Sequence, residues 1–268
     1  IEKMIKVEEK NPIFKILLAY NYYSIQEDYK KAIDILNELY QNVSSYDFQK
    51  YSNKHTITLE NSSYSYVGDF LTTMSYNYQE LGNIDSAIYF AEEALKYENG
   101  FLRAYIYNHL ADLSFDNTDY EKAKNYYIEA CAITQKMPWF FSDLSKCYSK
   151  LEDFKNAEEA ISNAIDISKG SQYLESPYYI ERANFYFDNQ KYLSSLLDIS
   201  QAISLYSKVL EVYDSQELQE LPDNHKLDEL YKFRAKIFAI LDDNKLMCID
   251  YKIACDLGDC EMFNEKCK

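Results

Sequence analysis

Apolar residues return along this chain at helical spacing, in paired runs split by short polar turns. Between Trp139 and Asp166, Phe141, Leu144, Ser145 and Tyr148 fall on one face of a first helix, and Ala157, Ile161 and Ala164 on one face of a second. Leu151-Glu152-Asp153 separates them as a polar turn. Helices this short do not hold in isolation, so both stripes must be buried against each other and against neighbours.

The design recurs. Ile16, Ala19, Tyr20 and Tyr23 precede Ala32, Leu36 and Leu39, and Leu71, Met74, Ser75 and Tyr78 precede Ala87, Ala91 and Ala94. Tyr107, Leu110, Ala111 and Ser114 precede Ala123, Tyr127 and Ala130, with Thr118 and Glu121 at capping-box spacing. Tyr179, Arg182, Ala183 and Tyr186 precede Ser195, Ile199 and Ala202, entered through Ser176-Pro177. Tyr231, Arg234, Ala235 and Phe238 precede Met247, Tyr251 and Ala254. Ala123 and Ala157 lie 34 residues apart, Ala87 and Ala123 lie 36, and Ala157 and Ser195 lie 38. Those are helix-hairpin periods.

The pattern predicts an all-α chain, a single stack over 1–268 of about six helix hairpins. The hairpins fall at 12–46, 68–101, 102–137, 138–171, 176–209 and 228–258, with insertions at 47–67 and 210–227 and a capping helix over 259–268. The first insertion reads as loop with an extended piece at His55-Thr56-Ile57-Thr58-Leu59. The second extends the preceding helix through Tyr206 and Val209 until Pro222 breaks it.

Composition narrows the reading. Five glycines and four prolines in 268 residues leave little for β-turns or nucleotide-binding loops. A net charge of −16 repels phosphate backbones and anionic lipid, and no basic patch offsets it, so neither nucleic acid nor a membrane surface is an expected partner. No apolar run reaches bilayer-spanning length. The chain begins at Ile1 rather than Met, which leaves room for a leader or a further domain. Six cysteines without a dense framework fit a reducing, cytoplasmic setting, with cysteine as a small buried apolar residue. Cys248, Cys255, Cys260 and Cys267 lack paired zinc-knuckle spacing. Helical spacing puts Cys248 with Cys255, and Cys260 with Cys267, so packing explains them better than a disulfide or a metal.

No catalytic constellation emerges. His55, His109 and His225 are scattered, and no phosphate-cradling loop, nucleophile elbow or metalloprotease helix is present. No cofactor is expected, and the chain reads as a non-enzyme.

Phe141, Leu144-Ser145, Tyr148, Ala157, Ile161 and Ala164 resemble the tetratricopeptide repeat at the right offsets. Its small positions in the second helix are matched by Ala32, Ala87, Ala123, Ala157 and Ser195, and seven residues on by Leu39, Ala94, Ala130, Ala164 and Ala202. Met247 departs from the pattern, and the run Asp250 to Asp259 is similar to the end of many bacterial proteins of this family.

The resemblance implies a right-handed α-α superhelix whose first helices line a concave groove for a peptide or protein segment. Groove positions on those helices include Asn21, Tyr76, Asn108, Asp112, Phe115, Lys146, Asn184, Phe187, Lys232 and Lys236. Asn amides suit a peptide backbone, the rings suit apolar side chains, and the lysines suit an acidic segment. The expected function is a non-catalytic protein- or peptide-binding scaffold. A peptide-sensing regulator and the non-catalytic part of a larger enzyme are the alternatives, and self-association is left open.

Overall fold

The computed structural model describes Ala19, Tyr22 and residues 28–41, 66–170, 172–212 and 227–268. All regular structure among them is helical: α1 (Tyr29–Gln41), α2 (Tyr66–Glu80), α3 (Ile84–Ala94), α4 (Gly100–Asp116), α5 (Tyr120–Ile133), α6 (Pro138–Lys150), α7 (Phe154–Ser168), α8 (Gln172–Asp188), α9 (Tyr192–Val212), α10 (Leu227–Ile240), α11 (Asn244–Asp256) and α12 (Glu261–Lys266). The extended piece expected at 55–59 and the break at Pro222 lie outside the described residues.

The chain divides into two units, Ile1–Gln135 and Lys136–Lys268. In the first, α2 pairs with α3 and α4 with α5, while α1 lies on α2 and α3 on α4. In the second, α6 pairs with α7, α8 with α9 and α10 with α11; α7 meets α8, α9 meets α10, and α12 folds onto α11. No helix among the described residues is long and apolar enough to cross a membrane.

The pairs close on their small residues. Ala87, Ala91, Ala123, Ala157 and Ala183 are wholly buried, so the partner backbone can approach closely. A serine facing such an alanine adds a hydrogen bond: Ser75 Oγ donates to the carbonyl of Ala87, Ser145 Oγ to that of Ala157 and Ser195 Oγ to that of Ala183, each at 2.7 Å. Met247 stands at the same point in the last pair and remains buried.

The turns inside the pairs share one geometry. Gly82, Thr118, Glu152, Gln190 and Asp242 all take positive φ. The next residue donates its N–H back to the carbonyl five earlier, as Asp119 does to Ser114 and Asp153 to Tyr148, both at 2.9 Å. That is a Schellman closure, with a left-handed residue just past the helix end. In four of the five turns the same residue then caps the second helix: the side chains of Asn83, Asp119, Asp153 and Asp243 accept from backbone N–H groups three residues on. The capping box expected at Thr118 and Glu121 does not form, because Thr118 occupies the left-handed position and Asp119 takes the cap.

Two further expectations change. Helix α8 begins at Gln172, a turn before Ser176-Pro177, with Pro177 inside it. Proline there forfeits one helical hydrogen bond near the helix end, where the cost is least. The C-terminal cysteines are not merely packed: Cys248 is bonded to Cys267 and Cys255 to Cys260. The chain reverses after Asp256, so α12 returns along α11 and brings each cysteine to a partner across the bend. Cys248 and Cys255, two turns apart on one helix, lie about 10 Å apart along its axis and cannot reach each other.

Candidate functional site

The second unit opens a cleft of about 500 Å³ between α6 and α8. Helix α6 lines it with Ser142, Ser145, Lys146, Ser149 and Lys150, α8 with Glu181, Asn184, Phe185 and Asp188, and the turn after α8 with Asn189. Phe154 and Ile161 enter from α7, the ring of Phe154 half-exposed and 6.5 Å from that of Phe185. Hydroxyls and amides thus stand beside an aromatic pair, and two lysines beside two carboxylates.

Ser142 donates its hydroxyl to Glu181, and Lys146 reaches Asp143 at 3.0 Å and Glu181 at 3.4 Å. Burial works against the ammonium of Lys146, but Asp143 and Glu181 outweigh it and hold its pKa above the ordinary lysine value. Burial raises the Asp143 carboxyl, and Lys146 offsets only part of that rise. Ser142 and Lys146 are one helical turn apart on α6. Lys146 is thus favoured as an ammonium, and the Ser142 hydroxyl is directed at Glu181. The side chains of Asn184 and Asn189 donate to α8 carbonyls, at Ile180 and Phe185, which leaves their oxygens as acceptors.

Of the groove residues read from the sequence, Lys146 and Asn184 come together in this cleft. Phe187 does not line it: its ring lies 5.3 Å from that of Phe233, and Lys236 stands over it at 4.8 Å. Lys232 is held by Asp228 at 3.3 Å and Asp259 at 2.6 Å, beside a separate acidic hollow of about 410 Å³. In the first unit, Asn108 turns its amide to Asp112 at 3.1 Å, and Asp112 also accepts from the Tyr127 hydroxyl at 2.6 Å. Tyr76 lies on the ring of His109, with centroids 3.9 Å apart, and Phe115 meets Tyr120 edge-on. Asn21 lies outside the described residues.

Glu181, Phe185 and Asp188 were missed. A cleft between two neighbouring first helices is lined by opposite flanks of the two. The offsets that give Lys146 on α6 give Ile180, Asn184 and Phe187 on α8, of which Asn184 reaches the cleft while Ile180 and Phe187 fall outside its lining. Shifting the offsets by one residue for the following helix recovers Glu181 and Asp188.

The model of the tetratricopeptide repeat family matches residues 104–136 and 141–170. No curated protein matches the sequence significantly. Among solved structures, the chain is similar to BtubC (BKLC) from P. vanneervenii at 14% identity, with 83% of this chain and 89% of that chain covered and a TM-score of 0.62. It is similar to PilF of Pseudomonas aeruginosa at 14% identity, with 95% of both chains covered and a TM-score of 0.57. It is also similar to a chain of the APC/C hetero-tetramer Cut9-Hcn1 at 11% identity and a TM-score of 0.57, all of this chain matching 45% of that one. At such identities these likenesses establish the fold. The fold is that of a tetratricopeptide-type superhelix, and residues 104–136 and 141–170 match the repeat itself.

Proposed function

We propose that this chain is a non-catalytic binding scaffold whose cleft between α6 and α8 receives an extended segment of a partner protein. One observation carries the reading: the cleft sets hydrogen-bonding side chains, Ser149, Asn184 and Asn189, beside the Phe154 and Phe185 rings. An extended peptide offers the matching groups, a backbone of alternating donors and acceptors and side chains to lie on the rings. The paired charges of Lys146 and Glu181 support the same reading, since they are already compensated and favour neither an anionic nor a cationic small molecule. The fold is compatible with such a role, as one of its structural neighbours was crystallised within a hetero-tetramer.

The test is a selection of random peptides on the full chain, followed by titration of the winners. Asn184→Ala combined with Phe185→Ala should weaken them at least about tenfold, the loss of roughly 1.4 kcal/mol, with the helical signal and melting temperature retained. Peptides that bind the double variant as well as the parent would place the site elsewhere.

A further inference from the structure

We propose that α12 is a thiol-releasable cap, which the Cys248–Cys267 bond holds shut over the apolar end of the α10–α11 pair. Helix α12 has six residues, Glu261–Lys266, and is far too short to persist unaided. Its own grip is modest: Met262 and Phe263, neither fully buried, pack with Phe238 against Ala235, Met247 and Tyr251. Two covalent ties supplement that contact.

The ties are unequal. Cys255 and Cys260 are five residues apart and secure only the bend, whereas Cys248 and Cys267 are nineteen apart and fasten the far end of α12 to the start of α11. A cross-link restricts the open chain more as the loop it closes lengthens. Cys248–Cys267 is therefore the latch. Both of its cysteines are partly exposed, so a reductant can reach the bond without prior unfolding.

The reaction is thiol–disulfide exchange. A dithiol attacks one sulfur as its thiolate, and its second thiol resolves the mixed disulfide. Each protein disulfide thereby gains two electrons and two protons to become two thiols, while the reductant becomes a cyclic disulfide. With the latch cut, α12 detaches and uncovers Phe238, Met247 and Tyr251. The cap is thus closed in an oxidising compartment and open where thiol reductants are abundant.

The test is hydrogen exchange, read by mass spectrometry at the Asn264 and Cys267 amides, which bond to the carbonyls of Cys260 and Phe263. The full chain is compared oxidised, reduced with dithiothreitol, and as Cys248→Ser/Cys267→Ser and Cys255→Ser/Cys260→Ser pairs. Exchange should rise on the order of a hundredfold on reduction and in the first pair, with α8 and α9 unaffected and the second pair close to the oxidised parent. Equal protection before and after reduction overturns the proposal. So does peptide mapping of the oxidised chain that finds other cysteine partners or none.

Discussion

Arg182 and Asp198 meet through two parallel hydrogen bonds, Nε to Oδ2 at 2.7 Å and Nη2 to Oδ1 at 2.9 Å. The third donor, Nη1, goes to Ser162 on α7 at 3.0 Å, and the guanidinium lies by the rings of Tyr179 and Tyr186. The next pair repeats the clamp: Arg234 holds Asp250 through two bonds of 2.8 Å and reaches Ser200 on α9. Each arginine joins its own hairpin to the one before it.

The clamp replaces an apolar contact, and that sets up the first prediction. Arg182 precedes Ala183 as Leu144 precedes Ser145, and Asp198 follows Ser195 by the step that separates Ala160 from Ala157. The side chain of Asp198 is 8% exposed. Arg182→Leu strands that carboxylate and should cost on the order of 3–5 kcal/mol in urea unfolding. Adding Asp198→Ala should return stability close to the parent, because the pair then has the Leu–Ala makeup of Leu144 and Ala160. A double variant as unstable as Arg182→Leu would show that the ion pair itself, rather than its desolvated remnant, supplies the stability.

How far the sequence carries the fold is clear at these positions. The small residues Ala87, Ala123, Ala157 and Ser195 are visible in a linear reading because close helix approach needs them at a fixed period. The clamp is not, since Arg182 counts as one more residue on a helical stripe until Asp198 is brought beside it. Its signal is the sixteen-residue step shared by Arg182–Asp198 and Arg234–Asp250. The disulfides were hidden for another reason: face-sharing along one helix assumes no reversal, and the bend after Asp256 breaks that assumption. The flank of α8 in the cleft depends on which neighbour it faces, and repeat offsets alone do not encode that.

Thr118 supplies the second prediction. It sits at φ 61°, where glycine is at ease and a β-branched side chain crowds the backbone. Gly82 fills the equivalent turn of the preceding hairpin at φ 73°. Thr118→Gly should stabilise the chain by about 1 kcal/mol, because relief of left-handed strain exceeds the extra freedom of an unfolded glycine. Gly82→Ala should destabilise it by a similar amount. Melting temperatures of the two variants moving in opposite directions check the pair, and a Thr118→Gly variant that melts lower would overturn the assignment.

His109 gives the last prediction, on pH. The residue is 3% exposed, with Nε2 2.8 Å from Ser75 Oγ. The Ser75 hydroxyl spends its proton on the Ala87 carbonyl, so the imidazole must carry its own proton on Nε2 and donate. Burial pulls the His109 pKa down from 6.5 to about 4. The folded imidazole therefore stays neutral where the unfolded one is already protonated. Between those two values the unfolded chain binds more protons, so this group's contribution is complete above about pH 6.5 and is lost as pH falls toward 4. The loss amounts to about 3 kcal/mol at the bottom of that window. Carboxylates titrate over the same range, so the quantity to measure is the difference in urea midpoint between the parent and His109→Gln, whose amide can still donate to Ser75. That difference should shift against the parent from pH 7 to pH 4. A difference that stays constant with pH would mean that His109 titrates alike in both states and that its burial is relieved by some local opening.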